Sequence, residues 1–201
     1  MRVIIKSVYI WGLFLLNLSG AALAEDTNHQ FAIEGGGVAS CEVFIKANQN
    51  KTRDFYVFAG WVEGYLTGFN QFTKDTYDIT PWQTTELLMA ALRKHCEADP
   101  SQQVLLAVNK MIITLYSERL TTMSKTVPLE SEKNVMHLYE TTMKKVQGAL
   151  KTVGLYGGAV DGVYNDGTKK AITSFQKKYE MNQSGLPDQE TLFRLFKNAS
   201  E

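Results

Sequence analysis

Between Arg53 and Gln71 the apolar residues Phe55, Phe58, Val62, Leu66 and Phe69 recur at intervals of three and four, the period of one helix face. Gly60, Gly64 and Gly68 recur every fourth residue on another side of that helix. Each glycine costs a helix about 1 kcal/mol against alanine, so three in register predict a neighbouring backbone packed closely there. Glu63, Thr67 and Asn70 form a narrow polar strip, read as solvated rather than as the seat of a functional carboxylate at Glu63. Cys41–Ala47 opens a shorter helix before it. After it, Thr80, Pro81 and Gln83 read as N-cap, first turn and capping box of a third helix that ends near His95–Cys96. Asp99-Pro100-Ser101-Gln102 repeats the start signal for a fourth, with Leu105, Leu106, Val108, Ile112, Leu115 and Tyr116 inside.

Thr121–Asn134 is polar, contains a single Pro128, and reads as an interdomain linker. Beyond it the helical period returns. Thr141–Val153 carries Val146, Leu150 and Val153 on one stripe, with Gly154 as its stop. A glycine-dense stretch follows from Gly157 to Gly167. Thr168–Tyr179 then buries Ala171, Ile172 and Phe175, and Asp188 caps a last helix with Leu192, Leu195 and Phe196 inside. The predicted fold is all-α: a four-helix unit over 25–120, a linker over 121–135 and a small three-helix unit over 136–201.

Met1–Ala24 has the layout of a secretory signal peptide. Arg2 and Lys6 supply the positive start, Val8–Leu16 the apolar run, and Ala22-Leu23-Ala24 the cleavage pattern before Glu25. The run is too short to cross a bilayer as a helix, so the expected location is the periplasm, with no membrane contact once the leader is removed. Glu25–Ser40, with Gly35-Gly36-Gly37, reads as a frayed start. Lys+Arg and Asp+Glu stand at 21 each in 201 residues, and 44% of the chain is hydrophobic. That composition is globular, and it offers no global field to attract nucleic acid. No sequence repeat places the chain among fibrous or solenoid proteins. The two cysteines, Cys41 and Cys96, read in an exported chain as one structural disulfide, contributing about 4 kcal/mol through loop entropy.

The C-terminal unit resembles the peptidoglycan-binding domain family appended to bacterial cell-wall hydrolases. The shared residues are Val146-Gln147-x-x-Leu150, Gly154-Leu155-Tyr156, Val160-Asp161-Gly162-x-Tyr164, Thr168-x-x-Ala171-x-x-x-Phe175-Gln176, and Gly185-x-x-Asp188-x-x-Thr191-Leu192. Asn165-Asp166 stands where the family usually has Gly-Pro, and Asn tolerates the positive φ of such a turn. The resemblance implies peptidoglycan as ligand, through its stem peptide or its glycan. The residues themselves suggest that Asp161 bonds its own turn, that Gly162 takes a conformation others resist, and that Val160 and Val163 point inward. Tyr164 and Asn165 would then rim a shallow groove. Tyr156, Asp161, Tyr164, Asn165, Lys169 and Gln176 are the candidate binding residues, with Asp161, Thr168 and Gln176 equally suited to turns and caps.

The N-terminal unit resembles the exported helical proteins grouped with the HdeA acid-stress chaperones and the Rap1a/Tai immunity proteins. The shared residues are Cys41, Gly60-Trp61-Val62-x-Gly64-Tyr65-Leu66-x-Gly68-x-Asn70, Tyr77-Asp78-Ile79 and Cys96-x-x-Asp99-Pro100. It implies a fold and a protein partner, and leaves open a chaperone or immunity role. His29, His95 and His137 are the only histidines and lie far apart in sequence, which gives no zinc-site spacing. Glu130-Ser131 matches a transglycosylase pair by letters only, and no G-x-S-x-G or phosphate loop occurs. No catalytic residue, metal or cofactor is expected. The expected function is non-catalytic tethering of the N-terminal unit to the wall, with an accessory subunit or a wall hydrolase as the remaining alternative.

Overall fold

The computed structural model describes residue 28 and residues 30–130 and 135–199. Met1–Ala24, His29 and Ser131, which carry the leader reading and parts of two motif readings, lie outside the described residues. The chain builds α1 (Cys41–Asn50), α2 (Arg53–Phe72), α3 (Thr85–Ala98) and α4 (Val104–Leu115), then an antiparallel hairpin β1 (Thr126–Glu130) and β2 (Val135–Tyr139), then α5 (Glu140–Thr152), α6 (Asp166–Lys178) and α7 (Gln189–Asn198). The fold is mostly α, as the hydrophobic period predicts. No helix among the described residues is long and apolar enough to cross a membrane.

The described residues from Ile33 onward form one compact unit that holds two separate hydrophobic clusters. The first joins α1 to α4 around Phe44, Val62, Ile79, Leu92 and Val108, and includes both cysteines. Cys41 and Cys96 are disulfide-bonded, tying the start of α1 to the end of α3 with Cα atoms 4.9 Å apart. The second joins α5 to α7 around Val146, Leu150, Ile172, Phe175 and Leu195.

Four local expectations are corrected. The glycine face of α2 has no atom within 4 Å of a Cβ built at Gly60, Gly64 or Gly68, so it meets no neighbouring backbone among the described residues. The third helix starts at Thr85, with Thr84 as N-cap accepting from Leu87 N. Thr80 is instead held in a turn by the Asp78 carboxylate, 2.9 Å from its amide, and Trp82 is packed against the second cluster, which keeps both out of the helix. The fourth helix starts at Val104 because Asp99 spends its carboxylate on Ser101, while Cys41 N and Val104 N tie this segment to the chain entering α1. On α4, Leu105, Val108 and Ile112 are buried, but Leu106 is 48% and Tyr116 40% exposed.

Within the segment read as a linker, Thr126–Glu130 is strand β1, paired with β2. Leu129 and Leu138 alternate inward and join the second cluster, the period-2 signal that an average of polarity hides. Pro128 sits opposite His137, where its missing N–H is tolerated because each strand of a two-stranded ribbon is an edge. The frayed start is likewise ordered near Trp61: Gly35–Val38 forms a 3-10 turn with Gly37 buried, and Trp61 Nε1 donates to Glu34 O at 2.8 Å.

Candidate functional site

Two buried glutamines organise the C-terminal lobe. Gln147 on α5 is fully buried. Its Nε2 donates to Asp161 Oδ1 at 3.0 Å, Val163 O at 3.0 Å and Thr168 Oγ1 at 3.2 Å, while its Oε1 accepts from Gly162 N at 2.8 Å. Gln176 on α6 is also fully buried and repeats the pattern. Its Nε2 donates to Ser184 Oγ, Leu186 O and Thr191 Oγ1, and its Oε1 accepts from Gly185 N at 2.9 Å. Both glycines have positive φ, +82° at Gly162 and +70° at Gly185, a region that strongly favours glycine.

Three residues after each glycine comes an N-cap. Asn165 Oδ1 accepts from Thr168 N at 2.9 Å, and Asp188 Oδ1 accepts from Thr191 N at 2.9 Å. The lobe therefore uses one module twice: helix glutamine, glycine turn, cap, threonine, next helix. The sequence reading found no repeat because the two loops differ in length. Gln147 and Gly162 are 15 residues apart, Gln176 and Gly185 only 9, a difference of six. The second loop shows that nine residues suffice to close the module, so the extra six in the first are not required by it.

In the longer loop Tyr156, Gly157, Gly158, Ala159 and Asp161 line a groove of about 390 Å³, together with Leu155, Asn165, Gly167, Lys170 and Ser174. Tyr156 forms its floor, 9% exposed, with its hydroxyl donating to Ala159 O at 3.0 Å. A Cβ at Gly158 would stand 2.5 Å from that hydroxyl, so the loop passes over the ring only as glycine. Asp161 accepts from Val163 N at 2.9 Å as well as from Gln147. These bonds, the Val163 amide foremost, hold its carboxyl below the usual carboxylate range.

The six candidates fall into three places. Tyr156, Asp161 and Asn165 line the groove. Tyr164 and Lys169 attend the second turn instead: Tyr164 donates to Gly185 O at 2.8 Å, and the Lys169 stem covers Gly185. Burial pushes the Tyr164 hydroxyl up from its ordinary value. Gln176 is internal, with its amide committed to the fold. Asn165 has φ −108°, so it acts as a helix cap and needs no positive φ. Val160 and Val163 are 44% and 55% exposed, because Gln147 and Asp161, not apolar packing, pin the turn. Lys170 was missed by sequence reasoning. It is exposed on the first turn and a half of α6, where the groove opens, and its spacing from Tyr156 carries no signal until the loop is folded. Among the described residues no cluster of three or more His, Cys, Asp or Glu is placed to hold a metal ion.

Residues 140–195 match the model of the family described as "Putative peptidoglycan binding domain", the same stretch in which the sequence carries that resemblance. No curated protein matches the chain. Among solved structures, SltB3 from Pseudomonas aeruginosa, in complex with NAG-anhNAM-pentapeptide, is similar at 25% identity and a TM-score of 0.29. The similarity covers 52% of this chain, which spans only 26% of the length of that one.

Proposed function

We propose that the C-terminal lobe binds peptidoglycan in the groove beneath the Tyr156–Asp161 loop, and that the chain is an exported, non-catalytic wall-binding protein whose N-terminal lobe engages a protein partner. The observation that carries the reading is the six-residue difference between two otherwise equivalent loops, with the longer loop lining a groove in the segment that matches the family model. The groove combines an aromatic floor, the exposed amide of Asn165 and the cation of Lys170. Such a set suits a stem peptide, which offers peptide carbonyls and terminal carboxylates to amide and ammonium donors.

The test is a titration of the full chain with soluble muropeptide, followed by amide chemical shifts. Gly157, Gly158 and Gly167 should move and saturate together. Asn165→Asp keeps an N-cap oxygen but loses the amide donors and sets a carboxylate against the ligand. It should weaken binding about tenfold with little change in melting temperature. Movement confined to other surfaces, or none at saturating muropeptide, removes the groove from the account.

A further inference from the structure

Two adjoining hollows lie between the lobes and share Trp82 and Gln83. The larger, of about 610 Å³, is walled by Trp82, Leu115, Phe193 and Phe196. The smaller, of about 270 Å³, is walled by Asp78, Met136, Tyr139, Gln189 and Leu192. Trp82 meets Phe196 edge to face at 5.2 Å between ring centroids. Around this junction stand two buried donors that have no hydrogen-bond partner, Trp82 Nε1 and Gln189 Nε2. Among the described residues they are the only buried side-chain nitrogens or oxygens left so. Gln189 Oε1, by contrast, accepts from Thr84 N across the lobes. A buried donor left unpaired carries its full desolvation cost, so orphans of this kind call for an acceptor.

The lining restricts which acceptor. The smaller hollow contains the Asp78 carboxylate, with the exposed His137 imidazole on its wall and no lysine or arginine, which disfavours the carboxylates of a stem peptide. In the larger hollow Lys145 is already paired with Glu118 and stacked over the Phe196 ring, and the other lining lysine, Lys197, is exposed to solvent. Burial, then the neighbouring Asp78, pushes the Tyr139 hydroxyl up to about 12, so it stays a donor to that carboxylate. The site thus offers N–H donors, the Asp78 carboxylate as acceptor beside the paired Glu118, and aromatic surface, a set for a neutral ligand that bears a carbonyl, hydroxyls and an apolar ring face. We infer that the interlobe cleft is a glycan subsite that takes an N-acetylated amino sugar, with the acetamido carbonyl accepting from Trp82 Nε1 and Gln189 Nε2. The inference rests on the wall-binding reading and assigns the glycan to a place distinct from the peptide groove.

Both nitrogens are covered in the unliganded chain, so binding requires a side-chain shift that uncovers them, and the indole proton reports it. The experiment follows the Trp82 Nε1–H resonance of the full chain, assigned by its absence in Trp82→Phe, during titration with tetra-N-acetylchitotetraose. The resonance should move downfield and saturate. Gln189→Leu should raise the apparent Kd about fivefold, the loss expected for one hydrogen bond, with Trp82 still reporting. Asn165→Asp should leave this titration unchanged. A resonance that does not move at saturating sugar, or moves only with a stem tetrapeptide, overturns the inference. If sacculi still retain the chain while the sugar leaves Trp82 unmoved, the subsite fails and the groove reading stands. If the sugar moves Trp82 while muropeptide leaves the groove amides still, the reverse holds.

Discussion

Asp161, Gln147 and Gln176 show how single side chains set the C-terminal lobe. Gln147 closes a turn that no apolar contact would hold, since Val160 and Val163 next to it are exposed, and Gln176 closes the second beside the buried Leu186. Gln176→Leu would fill similar volume but leave Gly185 N without a partner and Leu186 O with the Ser184 hydroxyl alone. At about 1–3 kcal/mol for an orphaned buried group, the variant should lose about 1–3 kcal/mol in denaturant unfolding. Asp161 makes the first turn sensitive to pH. Its folded carboxyl titrates below the unfolded value, so its contribution is present above about pH 4 and is lost as pH falls through the folded value. Melting temperature followed from pH 6 to pH 2 should fall more steeply for the native chain than for Asp161→Asn. Equal slopes would show that the turn does not depend on the ionised carboxylate. The sequence made Asp161 and Gly162 legible as a turn because each has a conformational reason to be there. It did not separate Gln176 as scaffold from Asn165 as surface, because that distinction depends on which helix face the next loop covers.

At the scale of elements, long periodic segments were legible and their ends were not. The apolar stripes of α2, α5, α6 and α7 are buried as their spacing predicts. The starts of α3 and α4 are displaced because other bonds claim the capping residues first: a local turn with Asp78 takes Thr80, and the α1 entry takes Gln102. The hairpin was hidden for another reason. Its two inward residues, Leu129 and Leu138, are few among polar ones, and their burial is supplied by α5–α7 rather than by the hairpin itself. It follows that residues 136–201 lack part of their own core. A fragment beginning at residue 124 should unfold cooperatively at a melting temperature well above that of one beginning at 136, because Leu129 is wholly buried and its loss amounts to a core deletion of about 2–5 kcal/mol. Identical melting curves for the two fragments would place β1 outside the cooperative core.

For the whole molecule, the two clusters meet through a small set of contacts: Trp82 on Phe196, Tyr77 near Tyr139, Glu118 with Lys145, and Thr84 with Gln189. The pairing of Cys41 with Cys96 and the resemblance of residues 140–195 to a wall-binding family were both legible from sequence, one by cysteine count and the other by an ordered motif. The interlobe cleft was not, since its walls come from residues more than 100 positions apart, such as Thr84 and Gln189. The account turns on retention by the cell wall, and co-sedimentation of the full chain with purified sacculi measures that directly. The native chain should pellet with sacculi in a saturable manner, and Lys170→Glu, an exposed change at the groove that leaves every turn bond in place, should shift most of it to the supernatant. A natively folded chain that stays in the supernatant at all sacculus concentrations, or a Lys170→Glu variant that pellets as the native chain does, would contradict binding through this groove.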